Sequence, residues 1–329
     1  MANIIITEKC NQNCPYCFAS EVMEKKDPNI TLDEFRKIME FILRTDKRFG
    51  LIGGEPLLHP EIDRILEMVI DESRVDHVTI FTNGTHVDEH IRLLTHPKVA
   101  LLVNFNSKND VGKEKYEATA NNLNMMFKDY RMGYKITLGL NIYSPSQDLD
   151  YFIKTALNLK VGNVRVSITV PPNKNVDYKQ YFLSYFPMIK HFLATMNRHN
   201  IAVSFDCNLI PICLMDKDLK RLIEESERNP ECGRRYVSTD HCSRCNPVID
   251  ISRKGVAIRC FGLSDLKQYS LWDYSDLHEL HAVITHEIDH KVIDLAPAEC
   301  KSCHDNKCHK CYGGCIAFRV KNHNEKSDW

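Results

Sequence analysis

The chain has 329 residues, 43% of them hydrophobic, enough for one large domain plus a smaller one around a substantial apolar core. Its 43 basic and 44 acidic residues leave a formal net charge of -1, so no field that attracts nucleic acid or an anionic membrane is built in. The start MANIIITEK is too poor in apolar residues for a signal peptide, and nowhere do roughly 18 apolar residues run together as a membrane span requires, so a cytoplasmic protein is expected.

Short buried strands, rich in β-branched residues and ended by polar, Gly or Pro signals, are read at 3–7, 48–54, 76–84, 99–106, 134–143 and 163–171. Amphipathic helices lie between and after them. The first spans 31–45, opened by Thr31 with Glu34 as a capping box, followed by 60–73, 151–159 and 185–199. This alternation implies parallel strands with right-handed crossovers, an α/β fold of six βα units closing into a partial barrel. In such folds the loops at the C-terminal strand ends carry the chemistry. Past about residue 206 the pattern changes to short apolar pieces, cysteine pairs and polar connectors, with a hairpin PVIDISRKGVAIRC turning at Lys254-Gly255. Residues 1–206 are therefore expected to form the core domain and 207–329 a small cysteine-rich domain.

Fourteen cysteines in a cytosolic chain point to metal rather than disulfides. Three stand in TEKCNQNCPYCFAS, on the loop after the first strand, as Cys10, Cys14 and Cys17 in the spacing C-x3-C-x2-C. Three thiolates are one short of a closed zinc site, and they equally suit an iron-sulfur cluster with one iron left open. At the end of the second strand stands GGEP, Gly53, Gly54, Glu55 and Pro56, whose glycines permit close backbone approach and whose glutamate is an anionic acceptor.

These two motifs resemble the radical S-adenosylmethionine (radical SAM) superfamily. The resemblance implies that the three cysteines hold a 4Fe-4S cluster and that SAM chelates its open iron. Cleavage of SAM there yields a 5′-deoxyadenosyl radical that takes a hydrogen atom from the substrate. It further implies that GGEP meets the amino group of SAM and that Tyr16 lies near the adenine. Asn83, Asn104, Asn141 and Arg165, at or along later strands, are candidates for the rest of the cofactor, and Asn106 and Ser167 are further polar residues at those strand ends.

Eight cysteines follow residue 240: Cys242, Cys245 and Cys260, then Cys300, Cys303, Cys308, Cys311 and Cys315. Their spacing is similar to the SPASM extension found after many radical SAM barrels, which binds auxiliary 4Fe-4S clusters. It departs from that pattern in having no cysteine after Cys315 and an added Cys308. Two auxiliary clusters are expected, one on Cys242, Cys245, Cys260 and Cys315 and the other on Cys300, Cys303, Cys308 and Cys311. Cys232 is an alternative ligand of the first, and zinc is an alternative occupant of the 300–311 run. His304 and His309 are expected to face solvent. Of the unassigned Cys207, Cys213 and Cys232, Cys213 is a candidate hydrogen-atom donor.

Two full auxiliary sets favour net oxidation or cross-linking of a peptide or protein side chain, as in peptide natural product maturases, fed by a low-potential flavodoxin or ferredoxin type donor. Because the first strand starts at residue 3, leader recognition is expected to be absent or to rest with a separate leader-peptide-binding protein. Phe261 stands where sulfatase maturases carry an acidic residue, so that activity is not expected. A dehydrogenase or epimerase of a small molecule such as an amino sugar, and a non-enzymatic iron-sulfur or zinc module, are the alternatives.

Overall fold

The computed structural model describes residues 2–17, 19, 28–171, 175–229, 245, 247–292, 295–308 and 311–322. Its strands, in chain order, are β1 (Ala2–Thr7), β2 (Arg48–Gly53), β3 (His77–Thr82), β4 (Val99–Asn104), β5 (Ile136–Ile142), β6 (Asn163–Ile168), β7 (Ala202–Phe205), β8 (Ile249–Ser252), β9 (Val256–Ile258) and β10 (Gln268–Ser270). The main helices are α1 (Leu32–Ile42), α2 (Ile62–Asp71), α3 (Val87–Leu94), α4 (Lys108–Val111), α5 (Lys113–Asn124), α6 (Asp150–Leu159), α7 (Tyr178–Arg198), α8 (Lys217–Glu227) and α9 (Leu277–Ile284). No helix among the described residues is long and apolar enough to cross a membrane.

Two compact units result, one of residues 1–136 with 247–285 and the other of 137–246 with 286–329. In the first, the strand order is β10-β9-β8-β1-β2-β3-β4. β1, β2, β3 and β4 run parallel, with Ile4 opposite Leu51 and Ile80 opposite Leu101. All six residues of β1 are buried, as a central parallel strand covered on both faces requires. α1 starts where its sequence says it should: Thr31 accepts the Glu34 amide while Glu34 accepts the Thr31 amide. β8 lies parallel to β1, pairing Ile4 with Ile251, so strand pairing crosses the change of composition near residue 206.

The expected hairpin joins β8 to β9. Lys254 and Gly255 both take positive φ, 59° and 72°, the pairing that a tight two-residue hairpin turn demands. A Cβ on Gly255 would stand 2.7 Å from the Trp272 ring, whose Nε1 donates to the Lys254 carbonyl at 2.9 Å.

In the second unit β5, β6 and β7 run parallel in that order. β7 was not expected; its four residues, AVSF, are too short to show a period. α7 begins seven residues earlier than the reading from 185, because Asp177 caps it by accepting the Gln180 amide at 2.8 Å and the helix continues through Pro187. Tyr178, Tyr181 and Phe182 of α7 pack edge to face and stacked against Phe318 of the helix Ile316–Asn322.

Candidate active site

In the first unit the cysteine loop leaves the C-terminal end of β1, as expected for a βα fold. The Cys17 amide closes a turn on the Cys14 carbonyl at 3.0 Å, and the Gln12 amide donates to Cys10 Sγ at 3.4 Å. Cys10 and Cys17 are exposed and Cys14 is half-buried. Burial, then the neighbouring Cys10 and Cys17 thiolates, push Cys14 up to about 12; burial likewise raises Cys10. Three thiol side chains on one short loop, one fewer than a closed four-ligand site needs, are a donor set that fits an iron-sulfur cluster. Among the described residues no three His, Cys, Asp or Glu side chains converge on a single-ion point.

β2 presses directly against this loop. The Gly54 amide donates to the Thr7 carbonyl at 2.9 Å and the Glu55 amide to the Lys9 carbonyl at 2.7 Å. A Cβ on Gly53 would fall 2.1 Å from the Thr7 carbonyl oxygen, and one on Gly54 2.2 Å from that of Lys9 and 2.9 Å from Cys10 Cβ. Only glycine lets the strand end and the loop meet at this distance. Pro56 opens a short 3-10 turn over Pro56–Leu58.

Glu55 is fully buried. Its Oε1 accepts from the Thr82 hydroxyl at 2.6 Å and the Leu57 amide at 3.1 Å, and its Oε2 accepts from the Asn83 amide at 2.6 Å. Burial pushes its carboxyl above the ordinary glutamate pKa and these donors oppose that. A carboxylate has about four acceptor positions, so three protein donors leave one on Oε2. Glu55 thus clamps β2 to β3, in addition to any contact with a ligand.

Asn83 extends the clamp to the cysteine loop. Its Nδ2 donates to Asn11 Oδ1 at 2.8 Å, and Asn11 Nδ2 donates to Thr85 Oγ1 at 2.9 Å. The Tyr16 hydroxyl bonds to Asn106 Oδ1. Asn106 Nδ2 reaches Gln12 Oε1 at 3.2 Å and Cys14 Sγ at 3.4 Å. Lys115 of α5 donates to the Asn11 carbonyl. Asn11 and Lys115 were not among the sequence candidates; at the fourth strand the residue that touches the loop is Asn106, while Asn104 sits half-buried at the end of β4. No sequence signal separated the two asparagines, since only the path of the chain past β4 decides which side chain turns toward the cysteines.

In the second unit Asn141 is buried and accepts the Ser167 hydroxyl at 2.6 Å. Arg165 is paired with Asp206, its Nε and NH2 donating to Oδ2 at 3.1 and 2.9 Å.

The same unit contains a cavity of about 310 Å3 lined by Cys213, Cys300, Cys303, Cys311, Lys220 and Tyr178 among others. The Gly313 amide donates to Cys311 Sγ at 3.3 Å. Arg319 is buried, donates through Nε to the Gly313 carbonyl at 2.8 Å, and stacks 3.5 Å over the Tyr178 ring. Cys308 is exposed, with Sγ 3.5 Å from His304 Nε2. Cys315 and Cys245 are half-buried, as is Cys260, which stands in the first unit before the turn Phe261–Leu263. Cys207 is exposed. Cys232, Cys242 and His309 lie outside the described residues.

Residues 4–140 match the Radical SAM superfamily. A "Probable GTP 3',8-cyclase" of Methanococcus maripaludis is 28% identical over 167 residues, 50% of this chain and 49% of that protein. The "Radical SAM cyclopropyl synthase TigE" of Paramaledivibacter caminithermalis is 22% identical over 206 residues, 53% of this chain and 42% of that protein. The chain thus spans about half the length of the curated relatives it matches. Among solved structures, Streptococcus suis SuiB bound to its precursor peptide SuiA superposes with a TM-score of 0.61 at 14% identity, covering 99% of this chain and 73% of SuiB. At that identity the likeness is one of fold.

Proposed function

From the match of residues 4–140 to the Radical SAM superfamily we propose that this chain is a radical SAM enzyme that oxidises or cross-links a side chain of a peptide or protein substrate. When bound, the cluster and SAM supply a 5′-deoxyadenosyl radical that removes a substrate hydrogen atom. Cys10, Cys14 and Cys17 would hold the cluster. The Gly53 and Gly54 carbonyls and the remaining Oε2 position of Glu55 would receive the SAM ammonium. Asn83 and Asn106 orient the cysteine loop, with Asn104, Asn141 and Arg165 as further candidates toward SAM. Tyr16, whose hydroxyl is held by Asn106, would present its ring to the adenine.

Residues 207–329 would hold the auxiliary clusters that accept the electron released when a substrate radical is oxidised. The peptide substrate rests on one observation, the likeness in fold to a peptide-bound enzyme along 99% of the chain, cysteine-rich part included. A flavodoxin or ferredoxin type donor, a separate leader-peptide-binding protein and a cytoplasmic location complete the reading.

The second reading is a small-molecule substrate, favoured by the cyclase relatives. They match half of this chain, and substrate choice lies in loops that a shared fold leaves free to vary.

The test is anaerobic reconstitution with iron and sulfide followed by SAM and a reductant. The protein is expected to release 5′-deoxyadenosine and Cys10→Ala to release none; release by the variant would refute the assignment of the cluster. A deuterated peptide encoded beside the gene is expected to pass its label to 5′-deoxyadenosine. Label transfer from a nucleotide or amino sugar instead would overturn the peptide reading.

A further inference from the structure

Cys213 lies outside every cysteine motif of the chain, yet it lines the same cavity as Cys300, Cys303 and Cys311. Resting on the reading of residues 207–329 as a cluster domain, we propose that Cys213 is the fourth thiolate ligand of the auxiliary 4Fe-4S cluster held by Cys300, Cys303 and Cys311. It takes the place that spacing assigned to Cys308, and the cluster it completes is closed, with no iron open to substrate.

The short turn Ile212–Leu214, with Pro211 and Ile212 buried beneath it, brings Cys213 to the cavity wall. Cys213 and Cys308 are both exposed, but Cys308 is not among the residues lining the cavity and its sulfur lies 3.5 Å from His304 Nε2. The four cysteines line a space of about 310 Å3, and no three of the described His, Cys, Asp or Glu side chains meet at a single-ion point. A tetrahedral zinc draws all its thiolates to about 2.3 Å from one ion, whereas a four-iron cluster spreads them around its own bulk.

The surroundings suit an anionic cluster. Four thiolates on a 4Fe-4S core leave net negative charge, and the cavity carries Lys220 in its wall, with Asp305 as an opposing carboxylate. Arg319 is buried and donates through Nε to the carbonyl of Gly313, which itself lines the cavity. The Gly313 amide bond to Cys311 Sγ is of the kind that tunes cluster potential. With four protein ligands the cluster can pass electrons but offers no chelation site. An iron-bound Cys213 carries no thiol hydrogen, so it is not the hydrogen-atom donor to a substrate radical.

The experiment compares iron and sulfide content, and the electron paramagnetic resonance of the reduced state, among anaerobically reconstituted forms of the full chain. A chain lacking Cys10, Cys14 and Cys17 is the background; it isolates the auxiliary clusters from the SAM-cleaving one. If that background binds no iron-sulfur cluster, the cluster-domain reading itself fails. If it does, adding Cys213→Ala is expected to remove one cluster's worth of iron or convert that signal to a three-iron one, while adding Cys308→Ala leaves both unchanged. Full iron and an unaltered spectrum in the Cys213 variant, or loss in the Cys308 variant, would overturn the proposal. Alkylation of the unmutated holoprotein gives a reading independent of folding. Cys213 is expected to be protected until a chelator strips the iron, and Cys308 to react throughout; labelling of Cys213 in the loaded protein would refute its ligation.

Discussion

The Thr82 hydroxyl donates to Glu55 Oε1 at 2.6 Å, and both side chains are buried where β2 and β3 end beside the cysteine loop. Because the same carboxylate takes the Asn83 amide at 2.6 Å, Glu55 is a structural clamp as well as a candidate ligand. Glu55→Gln keeps the shape but substitutes an NH2 for one acceptor, so a buried donor loses its partner. The expected cost is about 1–3 kcal/mol, read as a lower midpoint of anaerobic thermal unfolding. Thr82→Val removes this donor and also the acceptor of the Gly84 amide at 2.9 Å, so it is expected to cost a similar amount; midpoints unchanged in both variants would contradict the clamp.

Gly54→Ala places a methyl group 2.2 Å from the Lys9 carbonyl oxygen and 2.9 Å from Cys10 Cβ. Both neighbours belong to the loop carrying Cys10, Cys14 and Cys17, the proposed cluster ligands, so relief of the clash must move Cys10. With an overpacking cost of about 1–3 kcal/mol falling on that loop, 5′-deoxyadenosine formation is expected to drop roughly 10- to 100-fold. Unchanged formation would mean the loop yields without disturbing its cysteines.

Asp250 Oδ1 accepts from Asn3 Nδ2 at 2.8 Å in the interior, where burial pushes its carboxyl up to about 7 against the opposing pull of the Asn3 side chain, the Phe261 amide and Arg259. The unfolded chain gives up this proton near the ordinary Asp value, about 4. Its contribution to stability is therefore full below about pH 4 and is lost as pH rises toward 7. Asp250→Asn cannot ionise. Its stability relative to the unmutated protein is expected to improve by about 2–3 kcal/mol between pH 5 and 7, measured from urea midpoints under anaerobic conditions. A difference independent of pH would show that Asp250 titrates normally.

Arg319 combines a hydrogen bond to the Gly313 carbonyl at 2.8 Å with stacking 3.5 Å over Tyr178. Lysine preserves the charge but neither the fork nor the flat face. Arg319→Lys is expected to destabilise the protein by about 2–4 kcal/mol even without iron, because the broken contacts are internal to the protein. An unfolding midpoint equal to that of the unmutated chain would show that charge alone matters there.

Six strands and the two motifs proposed to form the SAM site were legible in the sequence for a physical reason. A buried parallel strand needs a β-branched apolar run, and the loop after it needs polar, glycine or proline residues that end the pairing. The runs at 3–7 and 48–54 met their observed limits, Ala2–Thr7 and Arg48–Gly53, to within a residue. β7 escaped because four residues carry no period, and the first two turns of α7 because Pro187 stands inside the helix.

By itself the sequence determined the kind of chemistry: thiolates at C-x3-C-x2-C after a strand, with Gly-Gly-Glu-Pro after the next, because ligand type and spacing are local properties of the chain. Tertiary structure alone decided that Asn106, beyond the end of β4, reaches Cys14. It also decided that Cys213 stands with Cys300, Cys303 and Cys311 around one cavity that Cys308 does not line. Neighbours separated by about ninety residues are chosen by the packing of strands and helices between them, and no local spacing records that choice.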